Sequence, residues 1–318
     1  MNSGLIDVSV LIATYNPDWK DLRKTLNSIL LQKDISFEIV ISDDGSVDPL
    51  NDELLKYFDE HSFDNYSFVF NEINSGTVIN ICNGLKSCKG AYVKLISPGD
   101  FLYGEHALRM LFDVAVNDKA PFVFGDVIYY QAGANDFNAI THLSHPQMIK
   151  SYLDKNLLDV KYNYLIMNDT IHGVSTLVDR GVFVQYLNSV IGRIKFAEDC
   201  VYRIMIADGI RVSYCESNVV CYSYGEGIST TKENKWKRII KKDLLESDKD
   251  VVNLLSDDSA FLKKFNASII FRDCPTFSNR LTFWIKSPKA FFRKIYAITH
   301  RRKTNISIDR EFIENVYL

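Results

Sequence analysis

Three observations predict an α/β fold with a mostly parallel central sheet flanked by helices. Short β-rich apolar runs alternate with stretches of helical spacing, turn residues separate them, and each early run ends on a polar group. The first run, Val8 to Ala13, is closed by Thr14-Tyr15-Asn16-Pro17. Leu22, Leu26, Ile29 and Leu30 then recur at helical spacing, which predicts a helix over residues 19 to 32. Phe37 to Ser42 is the next strand and leads into Asp43-Asp44-Gly45-Ser46. Strand, helix, strand implies a right-handed parallel crossover, so both loops open on the same edge.

Leu54, Leu55 and Phe58 mark a second helix, Tyr66 to Phe70 a third strand, and residues 76 to 88 a helix with Val78, Ile79, Cys82 and Leu85 inward. Ala91 to Ile96 forms a fourth strand. It runs into Ser97-Pro98-Gly99-Asp100, with Pro second and Gly third as a type II turn requires. Four strand ends thus present polar groups together: Thr14 and Tyr15, Asp43 and Asp44, Asn71 and Asn74, and Asp100. In open α/β sheets ligands bind at that edge, so a nucleotide-type pocket is expected.

The chain has 318 residues, 47% hydrophobic, enough for one large domain or a domain with an appendage. A formal charge of -3 gives no global reason to expect nucleic acid as a partner. The start has no basic segment before its apolar run, so no signal peptide is expected. No window reaches the roughly 18 apolar residues that a spanning helix needs. Six scattered cysteines without metal spacing predict free thiols in a reducing cytoplasm.

Together, VSVLIATYNP, IVISDDGS and NSGTVINICNGLKSCKGAYVKLISPGD, with a later Glu-Asp pair, resemble a family 2 glycosyltransferase of GT-A fold and bacterial polysaccharide or O-antigen type. The resemblance spans about residues 6 to 230. It implies a nucleotide-sugar donor, UDP-linked, with Thr14 and Tyr15 lining the base and Asp44 accepting a hydrogen bond from it. Asp43 either shares that site or holds the loop, since neighbouring aspartates readily bind turn amides. Asn74 and Ser97 join the donor set, and Asp126, on a strand predicted over 120 to 130, stands near the donor sugar.

Such enzymes place paired acids in the turn after the fourth strand to hold Mn²⁺ or Mg²⁺ against the diphosphate. Here Ser97 and Gly99 occupy those two positions, leaving Asp100 as the expected metal ligand, with metal-independent catalysis as the alternative. About 100 residues later Glu198-Asp199 precedes an apolar helix. Its plain reading is a pair of helix caps, and the resemblance makes Asp199 the general base of an inverting transfer, with Glu198 accessory. His172, Ser229 and Lys232 are further accessory candidates; His145 and His172 each read either as a sugar or phosphate contact or as an uncommitted polar residue, and Ser229 and Lys232 either as phosphate donors or as part of a connecting loop. A nucleotidyltransferase would carry a glycine-rich loop where TYNP stands.

The predicted organisation is a GT-A domain over residues 1–230 (nucleotide half about 6–104, acceptor half about 105–230) and a helical region over 231–318. After a helix over 105 to 117, residues 131 to 170 read as a polar, irregular acceptor-shaping region. Further strands are expected over 172–178, 210–214 and 219–224. Between Cys274 and Ile308 there is no acidic residue, while Arg280, Lys286, Lys289, Arg293, Lys294, Arg301, Arg302 and Lys303 are basic. Ser287-Pro288 can start a helix carrying Phe291, Ile295 and Ile298 on one face. A basic amphipathic tail over about 276–303 suits an anionic membrane surface, with packing on the domain or a homodimer contact as alternatives. The expected role is transfer of a hexose to a saccharide, lipid-linked or free, in surface polysaccharide synthesis, in the cytoplasm or at the inner face of its membrane. The competing expectation is an inactive relative that binds sugar nucleotide or partner proteins.

Overall fold

The computed structural model describes residues 5–131, 137–140, 144–225, 233–303, 305–307 and 309–318. Ser229 and Lys232 lie outside them. The first half follows the predicted alternation: β1 (Val8–Thr14), α1 (Trp19–Leu30), β2 (Phe37–Asp43), α2 (Asn51–Glu60), β3 (Tyr66–Phe70), α3 (Thr77–Leu85) and β4 (Tyr92–Ile96). β3, β2, β1 and β4 pair in parallel in that order. Successive strand residues face opposite layers: Val10, Ile12, Ile39 and Ile41 pack with α1 and α2, while Leu11 and Val40 pack with α3. Each such fully buried side chain contributes about 1.5–3 kcal/mol.

Beyond β4 the sheet becomes mixed. A short β5 (Phe101–Leu102), α4 (Ala107–Asp118), β6 (Phe122–Gln131) and β7 (Ala139–Ile140) come next. They are followed by α5 (Lys150–Leu153), α6 (Leu157–Ile166), a 3-10 turn at Gly173–Ser175 and β8 (Thr176–Asp179). The expected irregular region 131–170 therefore contains a two-turn-plus helix, α6, whose Val160, Tyr164, Leu165 and Ile166 are buried. Its unbroken buried run from Tyr162 to Ile166 hides the amphipathic period by which a surface helix is read. β8 lies antiparallel between β4 and β6, and β6 runs parallel to β9 (Val212–Tyr224). The two strands expected over 210–224 are this one strand, with register shifts near Asp126. Between β8 and β9 stand α7 (Arg180–Val190) and α8 (Cys200–Ala207).

The C-terminal part comprises α9 (Asn234–Leu254), α10 (Ser259–Asp273), α11 (Phe277–Lys286), α12 (Pro288–Thr299) and α13 (Arg310–Tyr317). Val251, Leu255, Phe265 and Phe283 share one apolar cluster with Val201 and Met205 of α8 and Leu11 of β1. Position 230 therefore separates elements that share a core. The chain then returns across the sheet, and α13 buries Phe312, Ile313 and Val316 against Phe101, Ile128 and Tyr130. α12 begins at Pro288 as the sequence predicts, because proline at a helix start forfeits no internal hydrogen bond. All six cysteines are free.

Candidate functional site

The parallel half supplies the first wall. Thr14, at the end of β1, donates to Asp43 Oδ2 at 2.8 Å. Asp43 also accepts the Ser46 backbone N–H at 2.7 Å and the Ser46 hydroxyl at 2.6 Å. Gly45 takes φ 75 in this turn, and a Cβ there would lie 2.7 Å from the backbone of Ile73. Asp44 reaches across to the start of α3, where Oδ1 accepts the N–H of Ser75 at 2.9 Å and Oδ2 that of Gly76 at 2.8 Å. The helix N-terminus stabilises that negative charge. The loop-holding role considered for Asp43 thus belongs to both aspartates, and Asp44, expected to meet the base, is 4% exposed with both oxygens engaged. The candidates left open to a ligand are Tyr15, 53% exposed, with Asn74 and Ser97.

At the end of β4 the turn forms as read: Gly99 adopts φ 93 and the Asp100 N–H donates to Ser97 O at 3.1 Å. Thr25 of α1 pins it by donating to Asp100 O at 2.7 Å while accepting from Gly99 N at 3.1 Å. The Tyr130 hydroxyl donates to Gly99 O at 2.5 Å. Asp100 points inward and accepts the Ser223 N–H at 2.9 Å. Burial pushes its pKa up to about 7, against the lowering pull of that N–H and of Lys94. Lys94 is fully buried, donates to the carbonyls of Leu95 and Val174, and is drawn down to about 7 by burial.

This donor set does not fit a divalent cation held by protein carboxylates. Asp100 is a single, 6% exposed acid with one oxygen engaged, and a buried lysine is the nearest opposing charge. Among the described residues no three histidine, cysteine or acidic side chains converge. Ser97 and Gly99 offer no carboxylate, so Asp100 is the one acid the turn could give to a cation otherwise held by diphosphate oxygens and water.

The opposite wall is built by the 3-10 turn before β8 and by the start of α8. His172 packs its ring 4.3 Å from Tyr222 and 5.6 Å from Tyr129. Its Nδ1 is buried without a partner, and burial lowers its pKa to about 4, so the ring is neutral. A Cβ on Gly173 would stand 3.4 Å from Asp199 Cβ. A chain of neighbours thus leads from Asp100 through Ser223, Tyr222, His172 and Gly173 toward Asp199. Asp199 occupies the N-cap position of α8, yet its side chain makes no capping hydrogen bond. The capping role is therefore not what this carboxylate does.

Asp199 is exposed to solvent while neighbouring groups crowd its carboxylate. That crowding raises its pKa, and Arg203, one turn along α8, opposes the rise. Glu198 is pushed higher, to about 8, by burial and by the charge of Asp199. Of the two, Glu198 is raised further and so holds a proton more readily than Asp199.

Four residues of this region carry no obvious motif. Lys94 is visible as an ionisable group inside an apolar strand. Asp243 of α9, 2% exposed, accepts the N–H groups of Phe196 at 2.7 Å and Ala197 at 3.0 Å, and so positions the segment leading into Glu198-Asp199. Arg203 pairs with Asp248 at 2.8 Å. Arg302 crosses from the tail to Asp126, with contacts of 2.5 and 2.6 Å, and Asp126 also accepts from the Tyr214 hydroxyl at 2.8 Å. Asp126, expected near the donor sugar, is thus already paired.

Residues 9–174 match the family described as Glycosyl transferase family 2. The chain belongs to that family. The glycosyltransferase is 26% identical over 275 residues to an uncharacterized glycosyltransferase of Rickettsia prowazekii, covering 81% of this chain and 80% of that one. It is 29% identical over 121 residues to an uncharacterized glycosyltransferase of Mycoplasma genitalium, covering 35% of this chain and 40% of that protein. Among solved structures, S. aureus TarS 1–349 in complex with UDP-GlcNAc superposes with a TM-score of 0.53 at 15% identity, covering 90% of this chain and 80% of that one. The unliganded TarS 1–349 gives 0.52 at 14% identity, covering 96% and 95%. The fold is the GT-A fold.

Proposed function

We propose that this glycosyltransferase moves a hexose, with inversion, from a UDP-linked sugar to a saccharide acceptor, free or lipid-linked, in bacterial surface polysaccharide synthesis. Asp199 is the general base of this reading. The observation that carries it is an uncapped, solvent-reached carboxylate of raised pKa, linked by a chain of neighbours to the turn at the end of β4. TarS, which shares the fold, has been crystallised with UDP-GlcNAc.

Tyr15, Asn74 and Ser97 face the donor, while Asp43 and Asp44 shape its wall rather than bind it directly. An acceptor hydroxyl gives its proton to Asp199 as its oxygen attacks the anomeric carbon, and the diphosphate leaves from the opposite face. Glu198 holds its proton more readily and leaves the base role to its neighbour. Neutral His172 lines the floor between the two walls. Family 2 enzymes commonly depend on a divalent cation; the single buried acid of this turn assigns it no step here.

The tail belongs to the same reading. Lys289 and Arg293 turn inward to Asp159, at 2.6 and 2.8 Å, and Arg302 to Asp126, so the helix packs on the domain. Its other face exposes Phe292, Ile295 and Ile298 beside an exposed row of Phe277, Leu281 and Ile285 on α11. That surface suits peripheral contact with an anionic membrane.

Release of UDP from a panel of UDP-sugars tests the function. At least one sugar is expected to turn over, and Asp199→Asn is expected to lower kcat about a thousandfold while donor affinity stays within about threefold. Binding without transfer or hydrolysis, unchanged by Asp199→Asn, would leave the inactive relative standing.

A further inference from the structure

Behind α8, away from its uncapped end, a cavity of about 520 Å³ lies among α6, α8, α10, α11 and α12. Its walls include Leu165, Ile166, Phe271, Phe283, Trp284 and Ala290. Its charged lining is wholly basic: Arg203, Arg272, Arg280 and Lys294. The uncharged polar side chains on it are Asn168 and Ser268.

The positive charge is not balanced locally. Asp248 accepts from Arg203 at 2.8 Å and from Arg272 at 2.6 Å, and Asp273 pairs with Arg272 at 3.0 Å, which leaves the other two cations of the lining unmatched. Among the described residues Arg280 and Lys294 pair with no carboxylate, and Arg280 lies 5.8 Å over the Phe271 ring. Arg203 is only 4% exposed, yet its Nε–H has no hydrogen-bond partner, so the ion pair with Asp248 does not satisfy the whole guanidinium.

We propose that this cavity is a binding site for one anionic phospholipid, its phosphate toward Arg203, Arg280 and Lys294 and its hydrocarbon against Phe271, Phe283 and Trp284. A free phosphate would use the cations and leave the apolar wall without a partner. A sugar would need paired donors and acceptors, and this lining supplies donors almost alone. The phospholipid uses both halves of the lining. It also has a source beside it, since the exposed apolar rows of α11 and α12 flank the cavity and no acidic residue falls between Cys274 and Ile308. The proposal rests on the membrane reading of the tail and deepens it by giving the surface a specific lipid site.

The full chain is titrated below micelle-forming concentration with dihexanoyl phosphatidylglycerol, dihexanoyl phosphatidylcholine and inorganic phosphate, read by tryptophan fluorescence. Trp284 lines the cavity, so Trp284→Phe should abolish the signal. Saturable binding of the glycerol lipid at least tenfold tighter than of the other two is expected. Arg280→Gln with Lys294→Gln, both exposed positions, should weaken it at least tenfold, as should Ala290→Trp, which fills the cavity. Equal affinity for inorganic phosphate, or an unchanged affinity in the double variant, overturns the proposal. Flotation on phosphatidylglycerol vesicles separates the two readings. Short-chain lipid binding without flotation sinks the membrane surface and keeps the site; flotation without short-chain binding does the reverse.

Discussion

At the end of β2, Asp43 and Asp44 commit their oxygens to Thr14, Ser46, Ser75 and Gly76, and every one of those bonds lies within the parallel half. At the start of α8, Asp199 makes no cap, Glu198 holds a raised pKa, and Arg203 keeps an unmet N–H. The first region is closed electrostatically by its own turns. The second is held from outside: Asp243 and Asp248, both on α9, fix the segment before Glu198 and the guanidinium after Asp199. A satisfied carboxylate gives a rigid wall, whereas a carboxylate that must accept a proton has to be positioned by neighbours that leave it free. In the proposed reading, α9 serves the chemistry by holding the segment around Glu198-Asp199.

This contrast can be broken at either end. Asp44→Ala strands the Ser75 and Gly76 amides, and urea denaturation should show a loss of about 2–4 kcal/mol together with weaker UDP binding. Unchanged stability would mean that Asp44 is a ligand contact after all. Asp243→Ala should act on turnover, lowering kcat about 10- to 100-fold with donor affinity within about threefold. Asp243→Asn should restore most of the loss, because the amide oxygen still accepts the Phe196 and Ala197 N–H groups. Equal loss in both variants would show that the charge, and not the positioning, matters. The smallest effect is expected from EDTA: donor affinity should fall by less than about threefold, since the β4 turn offers one inward-facing acid. Loss of binding on chelation would return Asp100 to the metal role.

The parallel half was legible because its physics is local. Val8 to Thr14 and Phe37 to Asp43 are buried on both faces and so read as continuous apolar runs, and Pro98-Gly99 specify their turn through backbone φ alone. The Glu198-Asp199 pair was legible only through its resemblance to a family pattern; its local signature is that of an ordinary cap. α6 was missed because its unbroken buried run from Tyr162 to Ile166 erases its period. Asp243 and Arg302 carried no signal, since their partners lie 46 and 176 positions away in the chain.

Residue order alone therefore specifies the α/β alternation, the parallel direction of the first strands, the type II turn and the helix that starts at Pro288. These rest on dihedral preference and on which side chains leave water, both of which act over a few residues. Only the packed chain decides which carboxylates are closed and which stay open, that Lys94 and Asp100 are buried within range of each other's charge, and that α9 reaches back to the start of α8. Charge and hydrogen bonding depend on distance in space, and that distance exists only once remote segments have come together.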